Sequence, residues 1–424
     1  MSAALDRGAA FRLVDGALRC EEVGLESIAE RFGTPVYVYS KNAILSAYRR
    51  YADALAGRPA LVCYALKANS NLAVANLLAR AGSGFDIVSG GELARAIAAG
   101  ADPRRVVFSG VGKTEPEIDA ALRAGILCFN VESAAELDSI DRVAVRLGRR
   151  APVSLRVNPD VDARTHPYIS TGLKSNKFGV AHDEAFDLYR KAAAMPGLEV
   201  AGIDCHIGSQ ITQVEPYLDA AERLLDLVDR LDRAGIALRH IDFGGGLGIA
   251  YRDETPPDVA ELIAALLQRV DRRGHGGRTL MFEPGRSVVG AAGVLLTRVT
   301  VLKHGEVRNF AVVDAGMNDL MRPALYDAWM DVRPVRPRAG PATVVDVVGP
   351  VCESADWLAR DRALALQPGD LLAVMSAGAY GMSMASNYNS RPRPAEVMVD
   401  ADRVHCIRRR ETAAGLFEGE SVLP

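Results

Sequence analysis

Residues 61–90 read LVCYALKANSNLAVANLLARAGSGFDIVSG: an apolar run of strand length, a lysine in a polar turn, an amphipathic run of helix length, and a second apolar run. A strand, a helix and a further parallel strand require a right-handed crossover, so this stretch reads as one β/α unit. The unit recurs. Strand-like runs at Leu61–Leu66, Gly84–Ser89, Val106–Ser109, Leu127–Val131, Val153–Val157, Gly202–His206, His240–Phe243 and Thr279–Phe282 enclose seven amphipathic stretches: Asn71–Ala81, Glu92–Ala99, Glu115–Ala124, Ala134–Leu147, Asp183–Ala194, Tyr217–Ala234 and Pro257–Arg272. Eight strands in this alternation predict a closed (β/α)8 barrel, with an open doubly wound sheet as the alternative. Lys67, Asp86, Ser109, Asn130, Arg156, His206, Gly244–Gly246 and Glu283–Arg286 all follow strands. In a barrel they crown the C-terminal rim, where active sites form.

Beyond Arg286 the pattern changes. Short β-branched runs (Ser287–Val289, Val294–Leu302, Phe310–Val313, Thr343–Val348, Leu371–Met375, Glu396–Val399) alternate with Gly, Pro and Asp turns, which predicts an antiparallel β-sandwich or barrel. The segment through Pro35 has no core of its own and is expected to join that domain. The expected organisation is therefore a barrel over 36–285 and a β domain made of 1–35 and 286–424.

The 424 residues are 49% hydrophobic and 24% charged, which fits a globular protein and excludes a disordered or collagen-like one. Fifty basic against fifty-three acidic residues give a net charge of −3, so no basic field draws the chain to nucleic acid or to an anionic membrane. No apolar run approaches membrane-spanning length, and the charged N-terminus resembles no secretion signal. Six scattered cysteines suggest neither a disulfide framework nor a zinc site, and a reducing cytoplasm is the expected location. The expected partner is a small molecule, and no metal is expected.

Lys67 leaves an apolar strand into the rim, where desolvation lowers an amine's pKa and readies it to attack a carbonyl. Taken alone, such a lysine is more often a solvated loop residue. The run Asp242-Phe243-Gly244-Gly245-Gly246-Leu247-Gly248 follows the seventh strand, where unhindered backbone N–H groups can surround a phosphate. Glycine runs are by themselves more often tight turns. Glu283 ends the eighth strand and can hold a proton on a heteroaromatic nitrogen, while His206 can lie flat on the same ring or be an ordinary core histidine. A carbonyl-reactive lysine, a phosphate nest, a ring-nitrogen acid and a stacking imidazole together describe a pyridoxal-phosphate site.

The motifs Tyr64–Asn69, His206–Gln210, Gly244–Gly248, Glu283–Arg286, Gly316–Tyr326, Cys352-Glu353-Ser354 and Gly378-Ala379-Tyr380 closely resemble, in type and order, those of the diaminopimelate decarboxylases. That family belongs to the barrel-type (fold-type III) pyridoxal-phosphate decarboxylases, and the resemblance runs from about Thr34 to Val399. It implies that Lys67 forms the Schiff base with pyridoxal 5'-phosphate, that Gly244, Gly245, Gly246, Ser209 and Gly285 hold the phosphate, that Pro284 and Arg286 also bind the cofactor, and that Glu283 pairs with the pyridine nitrogen. It further implies that His206 stacks on the ring, that Asp86 lies near that pocket, and that Arg286, Arg322 and Tyr326 bind substrate carboxylate. Glu353 and Tyr380 complete the pocket, Tyr380 also touching the cofactor. Cys352 is similar to a proton donor supplied across a homodimer interface, so the active sites are expected to be shared. Asp327-Ala328-Trp329-Met330 departs from the family pattern.

The implied reaction is decarboxylation of meso-2,6-diaminopimelate to L-lysine and carbon dioxide, the last step of lysine biosynthesis. The alternatives are a decarboxylase of ornithine, arginine or carboxynorspermidine, or a non-catalytic pyridoxal-phosphate-binding protein. The long segment after Arg286 speaks against the last, whose single-barrel relatives lack it. Residues Arg164–Gly179 carry neither helical nor strand periodicity and are too many for an ordinary βα loop, so they are expected to form a lid over the site.

Overall fold

The computed structural model describes residues 10–162, 171 and 176–424. Strands Ala60–Ala65, Gly84–Ile87, Val106–Phe108, Cys128–Val131, Ala151–Asn158, Leu198–Asp204, His240–Asp242 and Thr279–Phe282 each pair in parallel with the next. The eighth pairs with the first, Leu280 facing Ala60 and Phe282 facing Val62. The sheet is therefore a closed barrel, which leaves none of these eight strands at an edge and rules out the open sheet. Leu61, Cys63, Val107, Cys128, Ala201 and Met281, from five of the strands, pack together in one buried cluster. Most of the helices that follow strands start on residues whose side chains accept a first-turn N–H: Asn71, Ser89, Ser133 and Asp258. Thr114 and Glu117 close a reciprocal capping box on the helix Glu115–Ala124. All seven helices read from the sequence start within two residues of their expected positions, including His182–Ala194 and Glu215–Arg233, which have no such cap.

One compact unit holds Ala47–Ile249 and Thr255–Ser287; the other holds the chain up to Ser46, Ala250–Glu254 and Val288–Pro424. The second unit carries a nine-stranded sheet whose pairings are mixed rather than antiparallel throughout. Val36–Ser40 runs parallel to Ala395–Asp400, and Phe310–Val313 runs parallel to Thr343–Val348. Val36–Ser40, read from the sequence as the start of the barrel, is instead an interior strand here. It is buried at every position and bonded on its other side to Gly293–Lys303. Ser287–Val289 is not a strand, since Arg286–Val289 forms a single helical turn. Three strands that the sequence did not reveal, Val332–Pro334, Trp357–Leu364 and Arg403–Arg408, carry Arg, Asp or Pro where an apolar run was sought. The N-terminal segment does join this unit's core: Phe11, Leu18, Leu25 and Ile28 pack with Val36, Val38, Val294, Leu296 and Val397.

Candidate active site

The chemistry-bearing residues of the barrel cluster at the C-terminal ends of its strands. Lys67 lies in the short 3-10 turn Leu66–Ala68 after the first strand, and its Nζ donates to Asp86 Oδ2 at 2.6 Å. Asp86 is fully buried on the second strand, and its Oδ1 has no hydrogen-bond partner among the described residues. Asp204, Asp242 and Glu283, at the ends of the sixth, seventh and eighth strands, bring one oxygen each within 4.8 Å of one another. Burial raises all three carboxyls; the charge of Asp242 adds to it at Asp204 and Glu283, and that of Asp86 adds to it at Asp242, which is pushed up to about 7. Asn130 Nδ2 bridges Ser109 Oγ and Glu283 Oε1, each at 3.2 Å.

His206 Nδ1 accepts the N–H of Gly245 at 3.1 Å. Burial, reinforced by the charges of Arg156 and Lys67, holds this imidazole well below the ordinary histidine range, so the ring is neutral and Nδ1 is free to accept. Arg156 is itself buried, donates to Glu132 at 3.1 Å and stacks on Phe178 at 4.8 Å. Arg286 donates to Ser209 Oγ at 3.0 Å, joining two of the expected cofactor-binding positions.

The glycines owe part of their identity to the chain itself. Gly246 has a φ of +99°, and a Cβ there would strike the Gly208 carbonyl, while one on Gly245 would be driven into the carbonyl of Glu283. Gly244 N–H is taken by Asp242 Oδ1 at 2.9 Å. Among the described residues no protein acceptor receives the N–H of Gly246 or Gly285. Those two donors suit a phosphate, the buried acid beyond the eighth strand suits a protonated ring nitrogen, and the lysine suits an aldehyde, so the residues present fit pyridoxal phosphate.

The remaining candidates lie in the other unit. Arg322 is buried at the head of the short helix Arg322–Tyr326, its guanidinium 4.3 Å from the Tyr251 ring and its Nη1 3.2 Å from Met330 Sδ. The unfamiliar stretch Asp327–Met330 has a structural job: the Trp329 ring packs against the guanidiniums of Arg252 at 4.4 Å and Arg362 at 3.1 Å, while Met330 is buried beside Arg322. Tyr326 and Tyr380 are half-buried. Cys352 and Glu353 are exposed. Their loop is pinned by Asp356, which accepts the N–H groups of Met317 and Val351, both at 2.6 Å. Most of the expected lid lies outside the described residues.

Sequence reasoning passed over Asp204 and Glu132 and gave no role to Asp242, Asn130 or Arg156. The available signal was a polar residue at or just past the last position of an otherwise apolar barrel strand. An open cavity of about 700 Å³ lined by Asp229, Asp232, Arg273, His275 and Arg278 lies next to the loops that precede strands, the face opposite the rim. Its charges already pair with one another.

Residues 41–290 match the family model described as the pyridoxal binding domain of pyridoxal-dependent decarboxylases. The chain is 63% identical to the diaminopimelate decarboxylase of Pseudomonas aeruginosa over 98% of this chain and 99% of that one. It is 57% identical to that of Vibrio cholerae, covering 97% and 98%. A crystal structure of diaminopimelate decarboxylase from M. jannaschii in complex with L-lysine is 40% identical, with a TM-score of 0.93 over 98% of both chains. Fold and site thus define a barrel-type pyridoxal-phosphate-dependent decarboxylase. Within that class, the chain belongs to the diaminopimelate decarboxylase family.

Proposed function

We propose that this chain decarboxylates meso-2,6-diaminopimelate to L-lysine and carbon dioxide. Identity above half to curated diaminopimelate decarboxylases across nearly the whole chain carries this reading. Pyridoxal phosphate, when bound, supplies a ring that absorbs the electron pair left behind as carbon dioxide departs. The chain's own residues set the conditions for that chemistry. Lys67 presents an amine at the rim, held by the Asp86 carboxylate. Glu283, aimed inward and braced by Asn130, keeps the ring nitrogen protonated. His206, neutral and tied to the glycine loop, offers a flat face without adding a competing charge. Gly246 and Gly285 give N–H donors to the phosphate, and Ser209 and Arg286 border it.

Arg322 binds the substrate carboxylate, for which a planar guanidinium is the matching shape, and the Tyr251 ring holds that plane. Tyr326, Glu353 and Tyr380 complete the substrate pocket. Cys352 donates a proton to the site of a second copy in a homodimer; its exposure, together with that of Glu353, is the feature of this chain that supports the shared arrangement. No described helix is long and apolar enough to cross a membrane, and a cytoplasmic enzyme is in keeping with that.

Incubation with meso-diaminopimelate, followed by quantification of lysine and released carbon dioxide, tests the reaction. Lysine in stoichiometric amount is expected, with little carbon dioxide from ornithine, arginine or carboxynorspermidine. Faster release from any of those three would overturn the substrate assignment.

A further inference from the structure

Four acids occupy the strand ends of the barrel: Asp86, Asp204, Asp242 and Glu283, each at most 4% exposed. The two cations nearest them are engaged, Lys67 with Asp86 at 2.6 Å and Arg156 with Glu132 at 3.1 Å. The other titratable groups facing the acids add no positive charge. Burial keeps the Cys63 and Cys205 thiols protonated and the His206 imidazole neutral. Asp242 and Glu283 bring a carboxylate oxygen each within 4.8 Å of one another. Drawn as two carboxylates they make no sense: Asp242 Oδ2 is buried with no donor, although Oδ1 is satisfied by Gly244 and Glu283 Oε1 by Asn130. Two like charges this close in a buried site do not both persist, and a single proton between them removes the repulsion and supplies the missing donor.

We propose that Asp242 and Glu283 hold one proton between them in the cofactor-free barrel and deliver it to the ring nitrogen of pyridoxal phosphate as the cofactor seats. Asp242 is a positioning residue for Glu283. The carboxyl O–H bond breaks, an N–H bond forms on the ring, and the acid pair gains one negative charge opposite the cation it has made. No proton is drawn from solvent for that atom. The inference rests on the reading that places Glu283 against the ring nitrogen.

The test uses the full-length protein, stripped of cofactor and reloaded with ring-15N pyridoxal phosphate at mildly acidic pH, where the acid pair still holds its proton. Infrared difference spectra follow carboxyl protonation and nitrogen NMR follows the ring. Loading the wild type is expected to abolish a protonated-carboxyl C=O band while the nitrogen reports a protonated ring. Asp242→Asn removes that band before loading, and Asp204→Asn retains it. A protonated ring with no band lost in the wild type overturns the shared proton while leaving the Glu283 contact intact. A band that survives Asp242→Asn and vanishes in Asp204→Asn overturns the assignment to this pair. An unprotonated ring nitrogen overturns the Glu283 reading itself. The wild-type measurement stands alone if either variant fails to fold.

Discussion

Glu283 shows how far a single residue can be read before a structure exists. An acid after an apolar strand of Thr, Leu, Met and Phe is conspicuous in the chain, and its role follows from the chemistry of the ring it meets. Its environment is not conspicuous, because Asn130, Asp204 and Asp242 come from three other strands. Glu283→Gln replaces the charge with a neutral amide of the same shape. It is expected to load cofactor, seen by absorbance, while turnover falls by roughly 100-fold or more; unchanged turnover would reject the electrostatic role. Asp242 carries a pH prediction. Its folded-state value lies near about 7, against about 3.9 in an unfolded chain. The folded, cofactor-free state therefore keeps a proton that the unfolded state has released. This contribution to stability is fully present below about pH 4 and is lost as pH rises toward about 7. Burial raises Asp204 and Glu283 too, so they act in the same direction. Urea midpoints of the cofactor-free protein should fall across that window, and Asp242→Asn should flatten the slope.

The loop after the seventh strand is where element geometry and chemistry coincide. Its glycines were legible as a candidate phosphate nest, yet the structure gives a second reason for them. Gly245 packs against the Glu283 backbone and Gly246 against Gly208, so the loop is a close junction between neighbouring strand ends. Gly245→Ala is expected to cost on the order of 3 kcal/mol, as overpacking against fixed backbone does, and to release cofactor. Gly277→Ala, where nothing lies within 4 Å of the added methyl, serves as the control and should stay within about 0.5 kcal/mol. Thermal melts of both variants, with and without cofactor, decide the point. The helices were legible because amphipathic periodicity is a local property of the chain. Trp357–Leu364 was not legible as a strand, because Arg360, Asp361 and Arg362 stand consecutively in its middle and the sheet that buries Leu358, Ala359 and Arg362 is not disclosed by the local sequence.

For the whole molecule, the proposed sharing of active sites between two copies makes a prediction that no single chain can satisfy. Lys67→Ala and Cys352→Ala homodimers should each be nearly inactive, and mixing them under subunit exchange should restore activity that neither has alone. Failure of the mixture to recover any activity would reject a partner-supplied Cys352. By itself the sequence determined the class of fold, because β/α alternation is a local periodicity that only a parallel sheet with crossovers can bury. It also determined which lysine, glycines and acid to suspect, since each interrupts an apolar run. Tertiary structure decided that the sheet closes, since closure rests on the pairing of Thr279–Phe282 with Ala60–Ala65 across more than half of the chain. It decided as well that Val36–Ser40 serves the β domain and that Asp242 faces Glu283. Strand partners and buried charge pairs are set by distances in space, and nothing in a residue's neighbours along the chain encodes them.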